Sequence, residues 1–201
     1  METEGPRKVI NVRIIGLNHP ARGKTYPLVT LGGGLEVRHT QTFEFSAQQC
    51  WDLLASEKVQ AEIAAAAGIT IEPIETKQND RGQTRRYRVV PHDELPAVAA
   101  KALGSPRFTY VQTDILDNQA RLLTWSIQPD QMGDRIRASG RITLSDKPNG
   151  HCERKLFTEI SVAIPLIGRK IEKLVIQNLA GSHERAAQVL QTWDARNQGL
   201  V

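Results

Sequence analysis

Long apolar runs are missing from this sequence. No window of about 18 apolar residues occurs, so no membrane-spanning helix is expected. The N-terminus, METEGPRKVINVR, lacks the apolar core and small-residue cleavage site of a secretory leader. The cytoplasm is therefore the simplest expected location. Cysteine is scarce. Cys50 and Cys152 are the two in 201 residues, too few for a disulfide framework, and both are expected as buried thiols. Metal signatures are lacking: there is no C-x-x-C and no H-E-x-x-H, and His19, His39, His92, His151 and His183 are scattered. No metal or other cofactor is expected. Neither sign of charge dominates, since 26 Lys and Arg against 22 Asp and Glu leave +4. That balance tolerates an anionic membrane surface or nucleic acid and requires neither. No motif interleaves aromatics with the basic residues, so nucleic acid is not an expected partner.

What is present is an ordinary globular composition, 40% hydrophobic and 24% charged, organised around the C-terminal stretch from Pro165 to about Arg196. Ile167, Ile171, Leu174, Val175, Leu179, Ala186, Leu190 and Trp193 recur at the spacing of one helical face. Pro165 suits a first helical turn. A helix of this length needs a long partner surface, and the preceding residues read as strands that supply one.

Val9–Ile15 is strand-like. Gly23-Lys24-Thr25 then resembles the end of a phosphate-binding loop, but Asn18 stands where that motif needs its first glycine, and Tyr26-Pro27 follows where a helix would begin. A solvated loop is expected there, and a flexible joint at Gly32-Gly33-Gly34. Leu35–Phe45 alternates, with Leu35, Val37, His39, Gln41, Phe43 and Phe45 on one face. Ser46 is a good N-cap for a short helix, and a second runs from about Glu57 to Gly68. Thr70–Thr76 carries Pro73, the mark of an edge strand or bulge. Gln83–Val90 returns, and Pro96–Leu103 reads as a short helix. The strands Phe108–Leu116 and Gln119–Ile127 are expected to join at a two-residue turn, Asp117-Asn118. Arg135–Leu144 and Cys152–Ile164 follow with matching parity.

The order is one strand, two short helices, about six antiparallel strands and a long terminal helix. It implies an α+β fold in which a curved antiparallel sheet of six to seven strands wraps the helix. The last strand running into the helix, EISVAIPLIGRKIEKLV, with Pro165 and Gly168 at the helix start and Trp193 near its end, resembles an uncharacterised bacterial domain-of-unknown-function branch of the START and birch-pollen-allergen (helix-grip, SRPBCC) superfamily. The resemblance covers residues 35–196; residues 1–34 would be an N-terminal extension with one possible strand, and 197–201 a tail. It implies a cavity between sheet and helix that binds lipids, sterols or other apolar ligands.

The inner-face residues point the same way. Ala138 and Gly140 are small and mid-strand, Gly181 is small and mid-helix, and all three leave room. Phe43, Tyr87, Phe108, Tyr110, Leu123, Trp125, Ile142, Leu156 and Leu174 form apolar walls, while His39, Gln41, Gln112, Arg154, Thr158 and Asn178 supply polar groups. A filled core is the alternative, with Arg154 paired to Glu44 or another carboxylate. An inward arginine must be paired, and a ligand carboxylate or phosphate is one candidate partner. No catalytic residue is assigned. Some members of the superfamily are polyketide cyclases or dehydratases, and His39 is the inner-face candidate for such chemistry. The expected function is soluble binding or transfer of a small hydrophobic or amphipathic ligand without catalysis. The alternatives are a cyclase-like or hydrolase-like enzyme using the same cavity, or a protein-interaction module. Outward Arg86, Arg88, Arg135, Arg137 and Arg141 read as a solvated face or as a transient contact with an anionic membrane. The oligomeric state is open.

Overall fold

The computed structural model describes residues 8–13, 25–31, 34–166 and 168–198. The loop containing Gly23-Lys24, the residues Gly32 and Gly33, and Ile167 lie outside the described residues. Among the described residues no helix is long and apolar enough to cross a membrane.

Among the described residues, nine antiparallel strands form one sheet in the order β1-β2-β3-β9-β8-β7-β6-β5-β4. The seven strands β3 (Gly34–Phe43), β4 (Ile69–Asn79), β5 (Gly82–Pro91), β6 (Tyr110–Asp117), β7 (Leu122–Pro129), β8 (Ile136–Asp146) and β9 (Cys152–Val162) make the expected curved wall. Two more, β1 (Lys8–Arg13) and β2 (Thr25–Leu31), continue it beyond β3. The strand expected over Val9–Ile15 corresponds to β1, its residues 14 and 15 lying outside the described ones, and β2 is not among the expected strands. Here Pro27 pairs with Asn11 of β1, and the pairing of β2 with β3 starts one residue later, at Leu28.

Helices α1 (Ala47–Ala55) and α2 (Glu57–Ala67) cross one end of the wall. Ser46 caps α1 as a reciprocal capping box with Gln49. Gly68 ends α2 in the left-handed conformation that favours glycine. β4 is an edge strand with a bulge between Pro73 and Glu75, and α3 (Ala97–Leu103) lies between β5 and β6.

Two expectations are corrected. The hairpin between β6 and β7 does not close on Asp117-Asn118. Asp117 pairs with Leu122, leaving a four-residue loop. The Asp117 carboxylate accepts from the Ala120 N–H, and Asn118 donates its backbone N–H to Arg81 and its side-chain oxygen accepts from the Trp51 indole. The local bond at Asp117 and the tertiary bonds of Asn118 to Arg81 and Trp51 favour this longer loop over the two-residue turn. The slip is even-numbered, so every face assignment survives. Pro165 is not in the first turn of the long helix either. Pro165 and Leu166 form a turn, with Leu166 at φ 66°, and α4 (Gly168–Gln198) begins at Gly168. A side chain at Gly168 would sit 2.3 Å from the Val162 carbonyl oxygen, so the helix can start this close to β9 because the residue is glycine. Helix α4 packs on α2, β9 and β3.

Candidate functional site

The strand register lays the inward side chains in rows. One row crosses the sheet through Val37, Thr158, Gly140, Trp125 and Asp114. The next runs through His39, Leu156, Ile142, Leu123 and Leu116, and the one beyond through Gln41, Arg154 and Leu144. On the other side lie Tyr87, Gln112 and Ile127, neighbours on β5, β6 and β7. All the sheet residues singled out from sequence therefore share this inner face, apart from Phe108, which precedes β6 and packs at a tilt of 41° on Tyr110, with ring centroids 5.6 Å apart.

The two ends of this face differ. Under α1 and α2 it is closed: Phe43, Cys50, Trp51, Leu54, Val59 and Cys152 are all buried. At the opposite end, where β7 and β9 finish and β6 and β8 start, apolar side chains remain half-exposed. Leu95, Phe108, Ile127, Met132 and Ile164 do so from the sheet side, and Val175 and Leu179 from α4. Tyr87, Tyr110 and Gln112 are also half-buried. Apolar side chains around a few polar groups are the usual lining of a small-molecule site.

One row further along the sheet from Gln112 is a buried carboxylate. Asp114 Oδ2 accepts from the Tyr87 hydroxyl at 2.7 Å, and Oδ1 accepts from Gln112 Nε2 at 2.7 Å. Burial raises the Asp114 carboxyl above the usual range, against the two hydrogen bonds that favour its charged form. Burial and the nearby Asp114 charge push Tyr110 up to about 12, and Tyr87 is raised well above the ordinary phenol value by the same causes. A carboxyl held toward its neutral form beside a phenol can donate or accept a proton, or bind a ligand hydroxyl or amine.

A second polar group lies toward the closed end. Arg154 is 1% exposed. Its Nε donates to Gln41 Oε1 at 2.9 Å, and Nη2 donates to the same oxygen and to the His183 carbonyl oxygen at 3.3 Å. Its guanidinium lies 5.3 Å from the centre of the Phe43 ring. Burial lowers Arg154 to about 10, and burial together with the Arg154 charge lowers His183 to about 3. His183 is therefore neutral. The pairing of Arg154 with Glu44 or another carboxylate, which belonged to the filled-core alternative, is not formed among the described residues; the amide of Gln41, opposite it on β3, takes that place.

Other expectations are corrected here. Gly140 does not leave room. A Cβ there would lie 2.7 Å from Trp125 Cε2 and Cζ2 and 2.3 Å from the Phe157 carbonyl oxygen, so the indole fills the space. Asn178 is exposed on α4 and does not line the inner face. It lies two helical turns beyond the buried Ile171, yet its side chain is exposed. Leu174 is half-buried and Gly181 is buried on α4. His39 is half-buried in its row, but Asp114 shares the inner face with it, so His39 is not the sole inward titratable candidate for proton transfer.

Asp114, Glu172 and His183 were overlooked in the sequence. Parity with Gln112 could have found Asp114. Glu172 and His183 fall near the apolar stripe of α4 by their spacing from Ile176 and Leu179, but charged and polar residue types argue against burial.

The outer face carries an open groove of ≈ 340 Å³ lined by Thr113, Ser139, Arg141 and Phe157 among others. Arg38 and Arg141 lie over the Phe157 ring at 5.4 and 4.5 Å. No buried titratable group lines it, so the inner face is the stronger candidate.

A family model described as "Protein of unknown function (DUF2505)" matches residues 38–193. No curated protein matches the sequence. Solved structures do match in fold. One is TTHA0849 from Thermus thermophilus, with TM-score 0.56 and 14% identity over 78% of this chain and 94% of that one. Another is the Zhui aromatase/cyclase from Streptomyces sp. R1128, with TM-score 0.54 and 14% identity over 80% and 93%. A third is a point mutant of norcoclaurine synthase from Thalictrum flavum, with TM-score 0.55 and 17% identity over 79% and 95%. At these identities the likeness is one of fold, the helix-grip arrangement.

Proposed function

This chain belongs to the DUF2505 family, and from that premise we propose that it binds a small hydrophobic or amphipathic ligand, of lipid or sterol type, between the sheet and α4, without chemical change. The observation that carries this reading is the contrast between the two ends of the inner face. One end is sealed by α1 and α2. The other leaves Phe108, Ile127, Met132, Val175 and Leu179 half-exposed around Tyr87, Tyr110 and Gln112. Half-exposed apolar side chains gain about 25 cal/mol per Å² when a ligand covers them. The remaining site residues of this reading are His39, Gln41, Phe43, Arg154, Leu156 and Thr158, deeper on the same face. Kinship with the bacterial START-like branch is part of the reading. Native mass spectrometry of the purified protein tests it, together with titration of an uncharged, environment-sensitive apolar dye. A co-purifying apolar mass, or saturable dye binding weakened by Ile127→Asp, is expected. Absence of both overturns it.

A second reading has its own observation. The 2.7 Å bond between Tyr87 and Asp114, on a carboxyl whose burial raises it toward the neutral form, supports a cyclase-like or dehydratase-like enzyme. The aromatase/cyclase and the norcoclaurine synthase named above are enzymes on this fold. Conversion of a captured ligand by the wild type and not by Asp114→Asn would favour this reading over simple binding.

A further inference from the structure

We infer that the closed end of the cavity receives the anionic head group of an amphipathic ligand, with Arg154 as its counter-charge. This rests on the cavity reading above and names the ligand class within it.

Arg154 is buried to 1% exposure, yet among the described residues no carboxylate lies within the 4.0 Å of an ion pair. Its acceptors are neutral: the Gln41 amide oxygen and the His183 carbonyl oxygen. These bonds use Nε and Nη2. No hydrogen bond from Nη1 is present among the described residues. The Cys50 and Cys152 thiols and, after them, Glu184 favour its charged form, but none of them is a hydrogen-bond or ion-pair partner of Arg154 among the described residues. A buried cation with neutral partners alone is costly, because desolvation is offset only when a counter-charge is close.

A second group at the same place lacks a partner. His183 Nε2 is enclosed and makes no hydrogen bond. A neutral imidazole protonated at Nε2 is a donor. Nη1 of Arg154 and Nε2 of His183 together offer N–H groups to the oxygens of one carboxylate or phosphate.

The surroundings fit an amphiphile and not a bare ion. Six residues of β9 separate Arg154 from Ile160, ~20 Å at about 3.3 Å per residue. The inward positions between and around them are mainly apolar, Leu156 and Ile142 among them, up to the half-exposed rim. A head at Arg154 places a long apolar body along this path.

The test is competition for the uncharged apolar dye by dodecanoate, dodecyl phosphate and dodecanol, with inorganic phosphate as a head-only arm. The wild type is expected to bind at least one of the two anions about 10-fold or more tighter than the alcohol, as one charge-assisted hydrogen bond supplies. Whichever anion binds tighter identifies the head. Arg154→Met is expected to bring the anion-to-dodecanol affinity ratio, both measured on the same variant, to about 1, and Arg154→Lys to keep part of the preference. If Arg154→Met does not fold, the wild-type ratio and Arg154→Lys decide. Equal affinity for anions and alcohol overturns the inference and leaves the cavity reading intact. Inorganic phosphate competing as well as dodecyl phosphate overturns the amphiphile. Failure of every ligand, dye included, overturns the inference and the cavity reading together.

Discussion

Glu172 Oε1 accepts a hydrogen bond from the backbone N–H of Val162 at 3.0 Å, while Oε2 accepts from Arg169 at 3.1 Å. The carboxylate is 1% exposed. It ties the first turns of α4 to the last residue of β9, just where Gly168 lets the two backbones approach.

Removal of this carboxylate leaves the Val162 N–H buried and unsatisfied. Glu172→Ala is expected to lower unfolding stability by about 2–3 kcal/mol. Glu172→Gln keeps an acceptor for Val162 and loses mainly the pairing with Arg169, whose side chain is 55% exposed, so it is expected to cost about 1 kcal/mol or less. Urea denaturation of both variants decides the matter. Equal losses would show that the charge, and not the acceptor, holds the junction.

Gly140 is held between a backbone carbonyl and an indole. A Cβ would meet the Phe157 carbonyl oxygen at 2.3 Å and Trp125 at 2.7 Å. The carbonyl belongs to the β8–β9 ladder and cannot yield cheaply. Gly140→Ala is therefore expected to cost about 1–3 kcal/mol and to alter the near-UV dichroism as Trp125 shifts. Unchanged stability and dichroism would refute the close packing and restore the idea that this position leaves space.

His183 sets an acid limit. Its folded pKa is lowered to about 3 by burial and by Arg154, against ~6.5 in the unfolded chain. The unfolded state binds the proton first, so stability from this site is full above pH ~6.5 and is lost as pH falls toward about 3. The loss between pH 6.5 and 5 is ~2 kcal/mol. His183→Gln should flatten this slope in denaturation profiles. A variant slope identical to that of the wild type would exclude His183 as its source.

The wall was legible in the sequence because its strands alternate and their parity is a strong constraint. Even the misplaced hairpin at Asp117 kept Gln112, Leu123 and Trp125 on the correct face. The helix was legible from its stripe, but its first residue was not. Pro165 satisfies a local rule, while the tertiary contact between Gly168 and Val162 fixes where the helix starts. In the site, apolar walls were readable and the polar groups less so. Arg154 was placed inward by parity, yet its partners come from β3 and from a helix carbonyl 29 residues away, which no local pattern encodes. Gly140 misled because a missing side chain marks close approach as readily as empty space. Asp114 was hidden by its residue type, since carboxylates are rarely buried without partners, and its partner Tyr87 lies on another strand.

Asp114 is expected to act on stability in the direction opposite to His183. Burial raises its folded pKa above the ~3.9 of an unfolded aspartate. Its favourable contribution is thus complete below ~3.9 and disappears as pH climbs through the raised folded value, where the folded state must bury a charge. Asp114→Asn keeps an acceptor for the Tyr87 hydroxyl and removes the charge, so it should be more stable than the wild type at neutral pH, and the gain should vanish below pH ~3.9. Tyr87→Phe should do the reverse. The 2.7 Å bond from its hydroxyl favours the ionised carboxylate, and without that donor the folded pKa rises further, so the decline with pH reaches higher. Taking each variant's difference from the wild type at every pH cancels the His183 contribution, which is common to both. Parallel profiles for the wild type and Asp114→Asn would mean that this carboxylate ionises as freely in the fold as in the open chain, and the site would lose both its proton donor and the second reading built on it.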